Sequence, residues 1–243
     1  MTILGARVGF LRGDYGHDLA ENPRFPTWPC TFDPMHAYRP LVEAARAGRQ
    51  AVRLFLCEGA EGIRVDGDGA VLGVSERLLG AIEVVQEGAA LHGLYLYWSL
   101  LDAGAVADGD AITGSILEGG AQAARFAEHV AAPIARALDP QRTLGVDAVS
   151  DAGAGAAEAI ARIGHAMRAE APLVITAGAT TENLARLWPG AALDGVDVRG
   201  ALPARDALAE ALSDARIRDA DVPLFAGDAE GAEGADAYAA VFW

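Results

Sequence analysis

The 243-residue sequence predicts an α/β fold: a (β/α)8 TIM-type barrel in a single domain over residues 1–243, with an eighth strand reduced or missing. Three observations carry this prediction. Short apolar runs of strand length alternate with amphipathic helical stretches along the chain, with no linker or break in composition. Seven or eight such βα units fit within the length, as a barrel requires. No G-x-G-x-x-G follows the first strand, which argues against an open dinucleotide-binding sheet.

Arg7-Val-Gly-Phe-Leu11 reads as the first strand. The turn-rich segment from Gly13 to Pro34 is long enough to serve as a lid or to plug one end of a barrel. Asp33-Pro34 places an N-cap before a proline at the first helical position, so a helix is predicted from about Met35 to Ala47, ended by Gly48. Ala51-Val-Arg-Leu-Phe-Leu-Cys57 is nearly all apolar, as strands buried on both faces are. Arg53 within it needs an anionic partner. In the Gly/Asp-rich segment 58–73, Asp66-Gly-Asp68-Gly69 lacks the closing acid of a calcium loop and reads as a turn. Ser75 caps a helix to about Ala89, with Leu78, Leu79, Ile82 and Val85 on one face.

His92 to Asp102 is the third strand, followed by a polar loop and an alanine-rich helix over about Gly119 to Leu138. Leu144 to Ala152 is the fourth strand, and Gly155 to Ala169 an amphipathic helix. Strands at Pro172–Ala177, Leu193–Arg199 and Val222–Ala226 alternate with helices at Thr181–Leu187 and Pro203–Ala215. Residues 234–243 form a further helix or a turn feeding a brief last strand, because a full eighth βα unit does not fit after Ala232. A barrel left open there would be covered by a second copy, so a homodimer is an expectation of that reading.

Bulk properties narrow the function. Hydrophobic content of 52% and charged content of 22% describe a globular protein with a large core. A formal charge of −15 disfavours nucleic acid and anionic membrane as partners and leaves a small-molecule substrate. All 19 basic residues are arginine, which excludes Schiff-base and pyridoxal-anchoring lysines and a Walker A lysine from these residues. Cys30 and Cys57 read as free thiols in a reducing compartment. With no basic-then-apolar leader at the start and no membrane-length apolar run, the expected location is the cytoplasm. No His/Cys/Asp cluster has zinc spacing and no G-x-S-x-G occurs, so neither metal nor cofactor is expected.

Strand alternation nominates a site. Arg53, Phe55 and Cys57 share one parity; so do Asp147, Val149 and Asp151; Asp197 and Arg199; and Asp228 and Glu230. If each set points inward at the C-terminal mouth, several carboxylates meet two arginines. Arginine contact would hold some acids ionised, while crowding would raise another. Asp151, Asp228 and Glu230 are the candidate catalytic groups. Arg53, Ser150, Asp197, Arg199, Trp98 and Asp102 are the candidate substrate-binding groups.

Several of these stretches resemble the clan-A (β/α)8 glycoside hydrolases of the cellulase and mannanase type, over roughly Val8 to Gly231. Ala51-Val-Arg-Leu-Phe-Leu56 is similar to that family's second strand with its buried arginine, and His92-Gly-Leu-Tyr-Leu to the segment entering the third. Val146-Asp-Ala-Val-Ser-Asp-Ala-Gly resembles the fourth-strand motif ending in Asn-Glu-Pro, whose Glu is the acid/base. Leu193 to Arg199 resembles the sixth strand, and Val222 to Asp228 the seventh, which carries the nucleophilic Glu. The chain departs from the family where Ser150-Asp151-Ala152 stands for Asn-Glu-Pro, where Asp228 (or Glu230) stands for the nucleophile, and where Arg199 stands for a histidine.

The resemblance implies a diverged glycoside-hydrolase-like enzyme doing carboxylate acid/base chemistry on a small sugar-like or glycosylated intracellular substrate. The same scaffold also suits a non-hydrolytic cyclase or isomerase, or a catalytically inactive barrel that binds or supports a partner. Replacing both Glu by Asp withdraws each carboxyl by about one methylene, opening the gap from the retaining spacing of about 5–5.5 Å toward the inverting one of about 6.5–9.5 Å.

Overall fold

A computed structural model of the chain describes residues 2–7, 34–57, 60, 62–107, 109–199, 209, 212–213, 222–227 and 238–241. The first strand, β1, is Thr2–Arg7, upstream of the predicted run at 7–11. Thr2-Ile3-Leu4 has the stronger strand propensity, and the pairing Gly5↔Ala51 and Arg7↔Arg53 sets its place. Residues 8–11 and the predicted lid segment up to 33 lie outside the described residues.

Helix α1 (Pro34–Arg46) leads into β2 (Ala51–Phe55), every residue of which is buried. The segment read as a simple turn is the tip of a small hairpin, β3 (Ile63–Val65) and β4 (Val71–Val74). Its turn is held by Asp66, whose carboxylate accepts the amides of Asp68 and Ala70. Ser75 caps α2 (Glu76–Leu91) through the Arg77 amide, as predicted.

After β5 (Tyr95–Asp102), the predicted polar loop holds two short helices, α3 (Gly104–Ala107) and α4 (Ala111–Leu117). Buried Asp110 caps α4 by accepting the amides of Ile112 and Thr113. The alanine-rich helix runs as α5 (Gly120–Phe126) and α6 (Ala132–Ala137), joined by one π turn over Ala127–Ala131. Pro133 supplies no amide for the preceding turn, which accounts for the widened hydrogen bonding there. Next come β6 (Thr143–Ser150), α7 (Ala157–Glu170), β7 (Ile175–Thr176), β8 (Gly178–Ala179) and α8 (Thr181–Ala191). β9 (Val196–Arg199), β10 (Leu224–Gly227) and β11 (Tyr238–Val241) follow. Most of the helix predicted at 203–215 lies outside the described residues.

The strands pair in the order β7-β6-β5-β2-β1-β11-β10-β9-β8. β7 and β8 stand at opposite ends of this order, yet only Ala177 separates them in sequence. Ile175–Thr176 pairs with β6 and Gly178–Ala179 pairs with β9, so the pairing returns to one stretch of chain and closes the barrel. The last strand completes it with a reversed direction. β11 lies antiparallel to both β1 (Thr2↔Val241) and β10 (Leu224↔Val241). Residues 228–237 are too few for the crossover that a parallel strand demands, whereas an antiparallel partner needs only a short connection. β11 thus occupies the edge from which a second copy was expected.

Leu54, Trp98, Val146 and Ala148 belong to the large core between strands and helices, along with Leu78, Ile82, Val130 and Ile160. Inside the barrel, Tyr97 stacks on Phe225 with centroids 4.4 Å apart, over Ala51. Among the described residues no helix is long and apolar enough to cross a membrane.

Candidate active site

Above the Tyr97–Phe225 stack the barrel interior turns polar. Register explains which side chains meet: Arg53 pairs with Tyr97, Phe55 with Ser99, Ser99 with Asp147, and Asp147 with Thr176. Arg53 is only 1% exposed. Its Nη1 donates to Asp197 Oδ2 at 3.0 Å, its Nε to Ser99 Oγ at 2.9 Å, and its Nη2 to both Ser99 Oγ and Asp147 Oδ2. The guanidinium carbon lies 4.7 Å from the Tyr97 ring centroid and 5.1 Å from that of Phe55.

The two carboxylates are tied from other strands as well. Asp147 Oδ1 accepts the Gly178 amide at 2.8 Å, and Oδ2 accepts the Ser99 hydroxyl at 3.1 Å. Tyr97 donates its hydroxyl to Asp197 Oδ2 at 2.8 Å and lies 2.7 Å from Thr176 Oγ1. Arg199 Nη2 reaches Ser150 Oγ at 3.0 Å and lies 3.3 Å from Asp197 Oδ2 and 3.4 Å from Asp147 Oδ2. Two arginines and two aspartates thus share one buried network.

Burial pushes the Asp147 carboxyl up to about 7; the Arg53 charge pulls it down, and the Asp197 charge pushes it up again. Burial works against the Arg53 guanidinium, but Asp197 and Asp147 outweigh it and hold the arginine above its ordinary range. Burial, followed by the charges of Asp197 and Asp147, raises the Tyr97 phenol well above its usual value, so it stays a donor.

Gly178 makes this crossing possible. A Cβ there would lie 2.8 Å from Arg199 Nε and 3.2 Å from Asp197 Oδ2. Gly178→Ala is therefore expected to cost about 1–3 kcal/mol, read as a lowered urea midpoint. A variant as stable as the parent would show that Arg199 swings aside without loss.

The residues nominated from sequence divide into groups. Arg53, Asp197, Arg199 and Ser150 come together in the network. Trp98 lies on the opposite strand face, fully buried among the helices, with its indole NH donating to Thr143 Oγ1 at 3.3 Å. Asp102, half-buried at the end of β5, accepts the Gly104 amide at 2.9 Å and is in register with Ser150. Asp151 follows β6, exposed, with a left-handed φ of 54°. Asp228 and Glu230 lie outside the described residues; Gly227, just before Asp228, is in register with Arg199. Sequence reasoning misses Tyr97, Ser99, Thr176 and Gly178 as members of the site. Their signal is polarity at inward parity on neighbouring strands, which becomes legible only once register is known. Among the described residues no group of three or more His, Cys, Asp or Glu is arranged to hold a metal ion.

In fold, this barrel of mostly parallel strands is similar to mannanase-type (β/α)8 glycoside hydrolases. The beta-mannanase of the blue mussel Mytilus edulis superposes with a TM-score of 0.60 at 14% identity, covering 81% of this chain and 69% of that one. The beta-1,4-mannanase of the sea hare Aplysia kurodai gives 0.62 at 11% identity, over 81% and 70%. The endo-1,4-beta-mannanase of Eisenia fetida gives 0.59 at 10%, over 83% and 69%. No protein-family model matches the sequence, and no curated protein matches it.

Proposed function

We propose that the chain is a single-domain, diverged glycoside-hydrolase-like enzyme of the cytoplasm. Asp151, together with Asp228 or Glu230, would do acid/base chemistry on a small sugar-like or glycosylated substrate at the C-terminal mouth of the barrel. The observation that supports this best is Asp151: an exposed residue in a left-handed backbone conformation, directly after the strand whose sequence resembles the family's acid/base strand. Aspartate tolerates this backbone better than most side chains, and the turn it makes leaves the residue exposed just past the C-terminal end of a barrel strand. The buried network below acts as a platform: Arg199 holds Ser150, the residue preceding Asp151. The mussel and sea-hare neighbours in fold are mannanases, so a β-mannoside is the first substrate to try.

The expected outcome is slow turnover of a small β-mannoside with inversion at the anomeric carbon, followed by NMR of the first-formed product. Asp151→Asn and Asp228→Asn should each lower the rate by about 10²–10⁴-fold. Retention through a trapped glycosyl-Asp228 adduct would overturn the single-displacement reading. One observation favours a second reading, a barrel that binds without catalysis: Arg53, Asp147, Asp197 and Arg199 are engaged with one another inside the barrel. Absence of turnover on any small glycoside, with sugar binding retained, would establish that reading.

A further inference from the structure

Gly153 and Gly155, just after Asp151 in sequence, line a pocket of about 370 Å³ that the network does not use. It lies where β5 and β6 leave the barrel: the Ala103 amide donates to Ser150 O at 2.9 Å, and Gly153 comes two residues after Asp151. Its walls are apolar, from Ala103, Val106, Leu117 and Ala156, and among the described residues Glu118 is the ionisable one on its lining. Val106 is a large apolar side chain left 39% exposed.

Three glycines complete the lining, and nothing in their surroundings demands glycine. Gly153 has φ −82°, and a Cβ on Gly153 or Gly155 would meet no atom within 4 Å. Gly114 sits inside α4, where alanine would favour the helix by about 1 kcal/mol; a Cβ there would only touch Val106 Cγ1 at an ordinary 3.5 Å. Side chains at these positions would occupy the space that is now the pocket. We infer that it is a binding site for one aromatic ring, the aryl aglycone of a glycoside whose sugar reaches Asp151. This rests on the reading of Asp151 as an acid/base. The volume is at the small end of ligand sites, suited to a ring with a short substituent and too small for a peptide helix. Lining so poor in polar groups favours an aryl group over a second sugar, whose hydroxyls would go unpaired.

The test uses the full chain with 4-nitrophenol as probe, followed by methyl NMR of Val106 and Leu117. Steady-state kinetics on 4-nitrophenyl and methyl β-mannosides run alongside. Nitrophenol is expected to shift both sets of methyl signals. Gly155→Leu should weaken that binding at least tenfold and raise KM for the nitrophenyl glycoside about as much, leaving KM for the methyl glycoside unchanged. Leu117→Phe narrows the same pocket from another element and carries the test if the first variant does not fold. Nitrophenol binding without turnover of either glycoside would support the aryl site and overturn the acid/base reading. Turnover with no methyl shifts, and with both KM values unmoved by the variants, would overturn the aryl site and leave the acid/base reading standing.

Discussion

Arg53→Met should cost about 3–5 kcal/mol of stability, a large share of the roughly 5–15 kcal/mol that holds a domain folded. Methionine keeps most of the aliphatic stem and removes the guanidinium with its charge, its hydrogen bonds and its contacts with Phe55 and Tyr97. Asp147 and Asp197 are fully buried, and Arg53 is the cation that bonds to both. Removing it leaves two carboxylates facing each other, with Arg199 at 3.3 and 3.4 Å as the other arginine of the network described above. Arg53→Lys should recover only part of the loss, because one ammonium cannot reach Ser99, Asp147 and Asp197 as the guanidinium fork does. Adding Asp147→Asn to Arg53→Met should also restore part of it at pH 8, where the parent's Asp147 is ionised and the single variant must either leave that charge unpaired or take up a proton. Urea titration would check this series; a loss below about 1 kcal/mol for Arg53→Met would mean that water enters the centre and solvates both acids.

Stability should also fall as pH rises from about 4 to 7. The Asp147 carboxyl is raised in the folded chain to about 7 from an ordinary 3.8. Between those values the folded state binds a proton that the unfolded chain has released. The contribution is therefore complete below the unfolded value and is lost as pH climbs through the folded one. Its size is on the order of a few kcal/mol, at about 1.4 kcal/mol for each pH unit that separates the folded and unfolded values. Asp147→Asn mimics the protonated group; it should match the parent at about pH 4 and below and lose less stability by pH 8. The net charge of −15 lowers stability in the same direction, but that part survives in the variant and so can be subtracted. Equal pH slopes for parent and variant would show that Asp147 is ionised throughout.

Much of the architecture is legible without coordinates. The βα alternation predicts the barrel, because helix and strand periods are written in the spacing of apolar residues. The buried arginine of β2 announces a charged interior, because a guanidinium within an apolar strand cannot stand alone. Alternation assigns Asp197 and Arg199 to the same interior, and the structure finds them there. The first strand lies a few residues from its predicted place because Thr2-Ile3-Leu4 and the run after Arg7 both have strand character. Only pairing with β2 distinguishes them.

What the sequence by itself determined was therefore the composition of each strand face and the order of the elements, since both follow from local periodicity. The tertiary structure decided register, closure and partnership. Register brought Ser99 and Tyr97 to Arg53, while strand alternation put Trp98, between them, on the helix side. Closure came from 175–179 pairing on both flanks and from β11 running antiparallel, a consequence of the short connection before it. The alternation expected from Asp147 lapses before β6 ends, since Ser150, of opposite parity, shares Arg199 with Asp147; the backbone then turns left-handed at Asp151. Ser150 joins the network and Asp151 stands exposed at the rim. Alternation holds only while the backbone stays extended, so the fate of a strand's last residue is set by the turn that ends it.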